Sequence, residues 1–353
     1  MRRQTLFLIA LLLPILASCA SPGASDDEKY TVEFHNNNAQ HYYEGAHYTR
    51  ALDQFEKALE LDDDDEKALL GRAWCLLLIA EGDILRGDTV GDDYLEEARD
   101  AFADLNQRDL DENQYKVALG TAKTHALYGD LYSARVANLQ TELKRRPPGD
   151  PLHAALKTAE NDARQSYLDA QAIFKLVLED ESTPGAKGNL TALIQLARIS
   201  VIQKDFATAL LYAEQYRQQV RRSKDLWVRS LKQFPEDRVI WEMKLAGAVT
   251  KEVEVLDLIA NAYFKLGQFQ LAKEELDRLL LLDPYRTDTY LNRGLLNVRL
   301  GAKRQALADM KKFMNRAAEL DFDPGDARVL KATGQIIALE KELGLESSIP
   351  DPE

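Results

Sequence analysis

The chain has 353 residues, 45% of them hydrophobic and 29% charged, an ordinary composition for a folded protein that excludes a wholly disordered one. Its formal net charge of −13 argues against a nucleic-acid ligand, whose affinity comes from neutralising phosphates, and against adhesion to anionic lipid through the folded part. Two cysteines, Cys19 and Cys75, leave no room for a disulfide framework if the first is consumed by other chemistry.

Residues 1–5 form a short basic start carrying Arg2 and Arg3, and Leu6 to Leu16 is an unbroken apolar run. Such a run has the length of a signal-peptide core and falls well short of the ~20 residues that span a bilayer. Leu16-Ala17-Ser18-Cys19 follows and resembles the lipobox of bacterial lipoproteins. The resemblance implies a signal peptide over 1–18, removal of it before Cys19, and a diacylglyceryl group on the Cys19 thiol. Two or three acyl chains hold a protein stably at a membrane, at about 0.8 kcal/mol per buried CH₂. Residues 19–31 read as a flexible tether, being small and polar with Pro22 and Gly23. Ala20 lacks the aspartate that signals inner-membrane retention of lipoproteins, so the resemblance places the chain at the outer membrane, facing the periplasm.

The rest of the chain shows an internal period. In 253–286, Ala260, Tyr263, Gly267, Phe269, Ala272, Leu276, Leu279 and Asp283-Pro284 follow one another at fixed offsets. The two alanines are small where two helices cross, Gly267 suits a left-handed helix end, and Pro284 stops the second helix. Gly294, Gly301, Ala306 and Met310 lie 34 residues after Ala260, Gly267, Ala272 and Leu276. This spacing resembles the tetratricopeptide repeat, a helix–turn–helix of 34 residues. The resemblance implies an all-α, right-handed superhelical solenoid of stacked hairpins, with inserted or degenerate helical segments where the period fails.

In chain order, hairpins are expected over 32–148, with a loop insertion at 82–93 and a hairpin over about 115–148 marked by Ala122, Gly129 and Ala134. A degenerate long helical segment spans 149–189 and a further hairpin 190–223. An inserted helical element at 224–252 carries Trp227, Phe234 and Trp241, and a C-terminal pair of hairpins covers 253–320. A capping helix over 327–344, stopped by Gly344, closes the last apolar face, and 345–353 reads as a disordered tail.

The sequence contains no nucleophile elbow, phosphate loop or metal-ligating motif, so no catalytic residue, metal or cofactor is assigned, and the chain reads as a non-enzyme. His35, His41 and His47 recur every six residues and point in different directions on a helix. The acidic run Asp62 to Glu66 lacks the alternation of a calcium loop and reads as a solvated turn before a helix. In tetratricopeptide arrays the first helices of successive hairpins line a peptide-binding groove. Here that resemblance selects Asp257, Asn261, Phe264 and Lys265, then Asn292, Leu295 and Arg299, as partner-binding residues. A carboxylate clamp of the kind some members carry is disfavoured, because Asp257 and Ala332 stand where cations are needed and only Arg328 supplies one.

The expected function is a membrane-anchored periplasmic scaffold for an envelope protein complex, such as outer-membrane assembly, pilus or secretion, or peptidoglycan machinery. The alternative is a ligand-binding accessory lipoprotein of a periplasmic transport system, which a large apolar cavity near 224–252 would favour.

Overall fold

The computed structural model describes residues 31–86, 91–108, 110, 113–147, 150–180 and 188–346. Among them every regular element is helical. Cys19, the signal peptide, most of the tether and residues 347–353 lie outside the described residues. The chain forms two compact units, up to Leu127 and from Tyr128 onward.

The first unit contains α1 (Val32–Glu44), α2 (Tyr48–Leu61), α3 (Glu66–Arg86), α4 (Gly91–Leu105) and the start of α5 (Gln114–Leu143). Helices α1 and α2 pack as one hairpin, α3 and α4 as the next, and α3 also touches α1, so first helices stack on first helices. Ala39, Ala51, Phe55, Ala58, Ala73, Leu76, Phe102 and Leu105 are buried between them. The loop insertion expected at 82–93 is mostly helix instead. Residues 82–86 extend α3, Asp83 is buried within it, and α4 begins at Gly91. The glycine Gly82 has no breaker beside it, and a lone glycine costs a helix only about 1 kcal/mol.

The second unit holds the remainder of α5, then α6 (Leu152–Glu179), α7 (Leu190–Ile202), α8 (Phe206–Gln233), α9 (Arg238–Lys265), α10 (Phe269–Leu282), α11 (Thr287–Arg299), α12 (Lys303–Glu319) and α13 (Ala327–Leu343). Two expectations need correction here. Gly129 does not turn the chain, because α5 runs through it unbroken for 30 residues. It is a packing slot: a Cβ there would meet the ring of Tyr167 on α6, whose hydroxyl donates to Asp130 Oδ1 at 2.7 Å. Nor is 224–252 a separate inserted element. It lengthens both helices of one antiparallel pair, α8 and α9, which are 28 residues each and joined by a short 3-10 turn at Pro235–Asp237.

Four hairpins share one turn. The helices α1/α2, α7/α8, α9/α10 and α11/α12 are each joined by three residues whose middle member is left-handed: Ala46 at φ 58°, Lys204 at 63°, Gly267 at 76° and Gly301 at 74°. The residue after it donates its N–H back over the helix end at 2.8–2.9 Å, His47 to Tyr42, Asp205 to Ser200, Gln268 to Tyr263 and Ala302 to Asn297. This closes carbonyls that the helix leaves open. Only glycine adopts that conformation without cost. Lys204→Gly is therefore expected to raise stability by about 1 kcal/mol, and Gly267→Lys to lower it by a similar amount. Urea denaturation of the two variants checks this, and an unchanged midpoint in both would show the turn is unstrained.

Ala260 and Ala272 are buried where α9 crosses α10, in a cluster with Leu276 and Leu296. Ala272→Leu should overpack this crossing and lower stability by about 1–3 kcal/mol, read as a lower thermal midpoint. At the far end α13 lays Ala332, Ile336 and Leu339 onto α12, and its Glu340, nearly inaccessible, pairs with Lys311 at 2.7 Å. Gly344 ends α13 at φ 65°.

Candidate functional site

Helices α9 and α11 are the first helices of consecutive hairpins, and the seven residues singled out above lie along them. Asn261, Lys265, Asn292 and Arg299 are exposed. Asp257 is half-buried and faces Arg286, whose Nη2 lies 3.4 Å from its carboxylate. Phe264 is half-buried and packs on the Ala260–Ala272–Leu276–Leu296 cluster, with the Phe269 ring 5.6 Å away. The Arg299 guanidinium lies over both rings at 5.5 Å, holding a cation against their faces. Leu295 packs on the cluster shared by α11, α12 and α13. The structure thus sorts the seven into an exposed amide-and-cation set and an inward pair, Phe264 and Leu295. Phe264→Ala is accordingly expected to cost about 2 kcal/mol of stability, less than a fully buried phenylalanine would. A melt unchanged by the substitution would show that the ring is not part of the core.

The carboxylate clamp has no free cation at its third position. Arg328 pairs with Asp288 at 3.0 Å and with Asp326 at 2.7 Å, and lies 4.5 Å from the Phe322 ring centroid. Its hydrogen bond holds the Asp326 carboxyl at about 2, well below the usual range. Ala332 is fully buried against α12, so no longer side chain fits in its place.

Two buried ion pairs on neighbouring hairpins escape a reading of the sequence by motif. Asp309 on α12 accepts from Arg293 on α11 through Nε at 3.0 Å and Nη2 at 2.6 Å, and from Asn297 Nδ2 at 2.9 Å. Arg293 also reaches Asp277 on α10 at 2.8 Å, so the guanidinium bridges three helices. Glu275 on α10 accepts from Arg217 Nη1 of α8 at both carboxylate oxygens, each at 3.1 Å, and from Arg278 Nη1 at 2.9 Å. Glu275 and Asp309 are 34 residues apart. An acid at one repeat position of the second helix is the only trace such pairs leave in the sequence. Their place between helices makes them register pins for the hairpins beneath the exposed face.

Residues 253–286 match the family model of the tetratricopeptide repeat. This stretch is a tetratricopeptide repeat. Its first helix is the end of α9, which carries Asp257, Asn261, Phe264 and Lys265, and its second is α10. Likeness to solved structures is long in coverage and low in identity and superposition. The TPR2AB domain of yeast Sti1 in its pHSP90 complex is 15% identical, with 87% of this chain and 98% of that chain covered, at a TM-score of 0.30. A tetratricopeptide repeat protein from Parabacteroides merdae is 12% identical, with 87% and 98% covered, at 0.34. Yeast Tom70 is 11% identical, with 91% of each chain covered, at 0.23. Values this low leave the repeat itself as the only basis for comparison. No curated protein matches the chain.

Outside the repeat, the residues with chemical potential have structural partners. His35 meets Gln54 at 2.9 Å, and Asp65 caps α3 through the Ala68 N–H at 2.7 Å while accepting from the buried Asn36 at 2.9 Å. Burial pushes the Cys75 thiol up to about 12, so it stays protonated in its apolar setting. Among the described residues no group of three or more His, Cys, Asp or Glu is placed to hold a metal ion.

Proposed function

We propose that this chain is a lipid-anchored scaffold of the bacterial envelope that presents the first-helix face of its C-terminal repeats to a protein partner. The reading is carried by one observation: Asn261, Lys265, Asn292 and Arg299 stand exposed on consecutive first helices of tetratricopeptide geometry, outside the buried core. Amides and cations on a rigid helical base are suited to hydrogen-bonding an extended peptide and its acidic groups. The buried pins at Arg293–Asp309 and Arg217–Glu275 hold that base in register. No residue of 221–247 is buried, which gives no support to the enclosed pocket that a small-molecule accessory protein would need there.

Photo-crosslinking side chains placed at Asn261 and Asn292 in living cells test the face. Both positions should capture the same partner, and Glu274 and Lys312, exposed on the second helices, should not. Equal capture at all four positions, or at none, excludes the first-helix face. The anchor is tested separately. Cys19→Ser should abolish incorporation of a palmitate analogue, and undiminished labelling of the variant would remove the lipoprotein reading while leaving the scaffold intact.

A further inference from the structure

Residues 221–247 depart from the packing of the rest of the second unit. They comprise the last turns of α8, the 3-10 turn at Pro235–Asp237 and the first turns of α9, and not one of them is buried. The buried members of the cluster that holds α7, α8 and α9 together reach Val220 and Ala248, and within 221–247 the half-buried Trp227 packs against it. Beyond it the two helices run on side by side for ten to thirteen residues each, roughly 15–20 Å at 1.5 Å per residue. Across the seam Lys224 of α8 pairs with Glu252 of α9 at 2.5 Å, and within α9 Lys244 lies over the Trp241 ring at 4.7 Å.

The outside of this arm is unusually apolar and unusually basic. Val239 and Met243, one turn apart on α9, are each 69% exposed, with Ile240 at 50% beside them. One turn further, a Cβ on Gly247 would meet nothing within 4 Å. On α8, Leu226 is 54% exposed, and Phe234 at the bend is 41% exposed. Arg221, Arg222, Arg229 and Lys232 are exposed along the same helix. Residues 221–247 hold seven Lys or Arg against four Asp or Glu, in a chain whose net charge is −13. The average charge that disfavours a lipid surface therefore hides a local segment of opposite sign.

We propose that the end of the α8–α9 arm inserts into the interfacial layer of an anionic phospholipid bilayer. Three features select lipid over protein. The exposed apolar residues surround the end: Leu226 and Val228 diverge by about 200° at 100° per residue, and Val239 and Met243 face away from the seam. A single protein surface covers one side, whereas a headgroup layer wets all of them. The positive excess complements anionic headgroups and would repel the same arm of a second copy. Of the arm's aromatic residues Phe234, at the bend, is exposed to a headgroup layer, while Trp227 and Trp241 are half-buried beside it. No helix among the described residues is long and apolar enough to cross a membrane, so the arm stays in the interface. The inference does not rest on the anchor at Cys19 or on the repeat face.

The test is tryptophan fluorescence of the full chain with vesicles of phosphatidylethanolamine and phosphatidylglycerol whose acyl chains are brominated. Two of the three tryptophans, Trp227 and Trp241, report on the arm, and a Trp227→Phe/Trp241→Phe variant sets the Trp74 background. The arm signal should fall by about half on binding, recover in high salt, and stay nearly unquenched with phosphatidylcholine alone. Val239→Asp/Met243→Asp changes only exposed side chains and should keep the helical signal while losing the quenching. An acyl anchor would tether both proteins alike without burying the arm, so it does not mimic the result. Equal quenching of variant and wild type overturns the proposal, as does no quenching in either. Lipid-free self-association or capture of a soluble acidic protein, abolished by the variant and unaccompanied by quenching, would give the face to that occupant instead.

Discussion

Asp309→Ala should be the most damaging charge change in the C-terminal hairpins, lowering stability by about 3 kcal/mol. The side chain is 8% exposed and accepts three hydrogen bonds, two from Arg293 and one from Asn297. Removing it leaves a half-buried guanidinium with two donors unanswered. It also takes away the bond of Asn297, whose Oδ1 already lacks a partner. Arg293 keeps Asp277 at 2.8 Å, which holds the loss to the lower end of what breaking a buried pair costs. The double substitution Arg293→Met/Asp309→Leu should recover most of the loss, because it removes the charge with its partner. Urea midpoints of the single and double variants decide this. A single variant within about 0.5 kcal/mol of wild type would mean that water reaches Arg293 and solvates it.

Gly120→Ala should cost about 2–3 kcal/mol in the first unit, a large effect for one methyl group. A Cβ on Gly120 would overlap the ring of Phe102, which α4 sends fully buried into that slot on α5. Gly71 receives Phe55 from α2 in the same way, so the first unit uses one device twice. Phe102→Ala, by emptying the slot, should cost about 3–5 kcal/mol. The two substitutions combined should cost less than their sum, since the alanine methyl enters space that the ring has left. Strict additivity in thermal melts would show that helix propensity at Gly120, and not contact with Phe102, sets its cost.

The 34-residue period is legible from Ala260 to Met310 because there each structural demand falls on a residue type that announces it. Glycine occupies the left-handed turns at Gly267 and Gly301, and small residues occupy the crossings. The same turn at Ala46 and Lys204 is built from residues that carry no such mark. Gly129 misleads for the converse reason, since glycine serves equally to end a helix and to admit a ring such as that of Tyr167. Helix length in α5, α8 and α9 is likewise hidden, because continuing a helix needs only the absence of a breaker. Residues 224–252 read as an inserted helical element from their apolar content, and the structure puts Val239, Ile240 and Met243 on the surface of two lengthened helices. At the repeat face, register alone indicates which residues share a side of α9 and α11. The pairing of Arg293 with Asp309 across separate helices leaves no local motif.

Helix α9 carries both the exposed arm and, at its other end, Asn261 and Lys265. It runs from Arg238 to Lys265 without a proline or a left-handed residue, a rod of 28 residues and about 42 Å. A rod of that length is a lever. Tilting it by about 10° around its midpoint moves each end by about 3–4 Å, comparable to the width of a side chain. Load applied at the distal tip would therefore be felt as a change of spacing between α9 and α11, with the pair of Asp257 on α9 and Arg286 at the start of α11 as the spring that resists it.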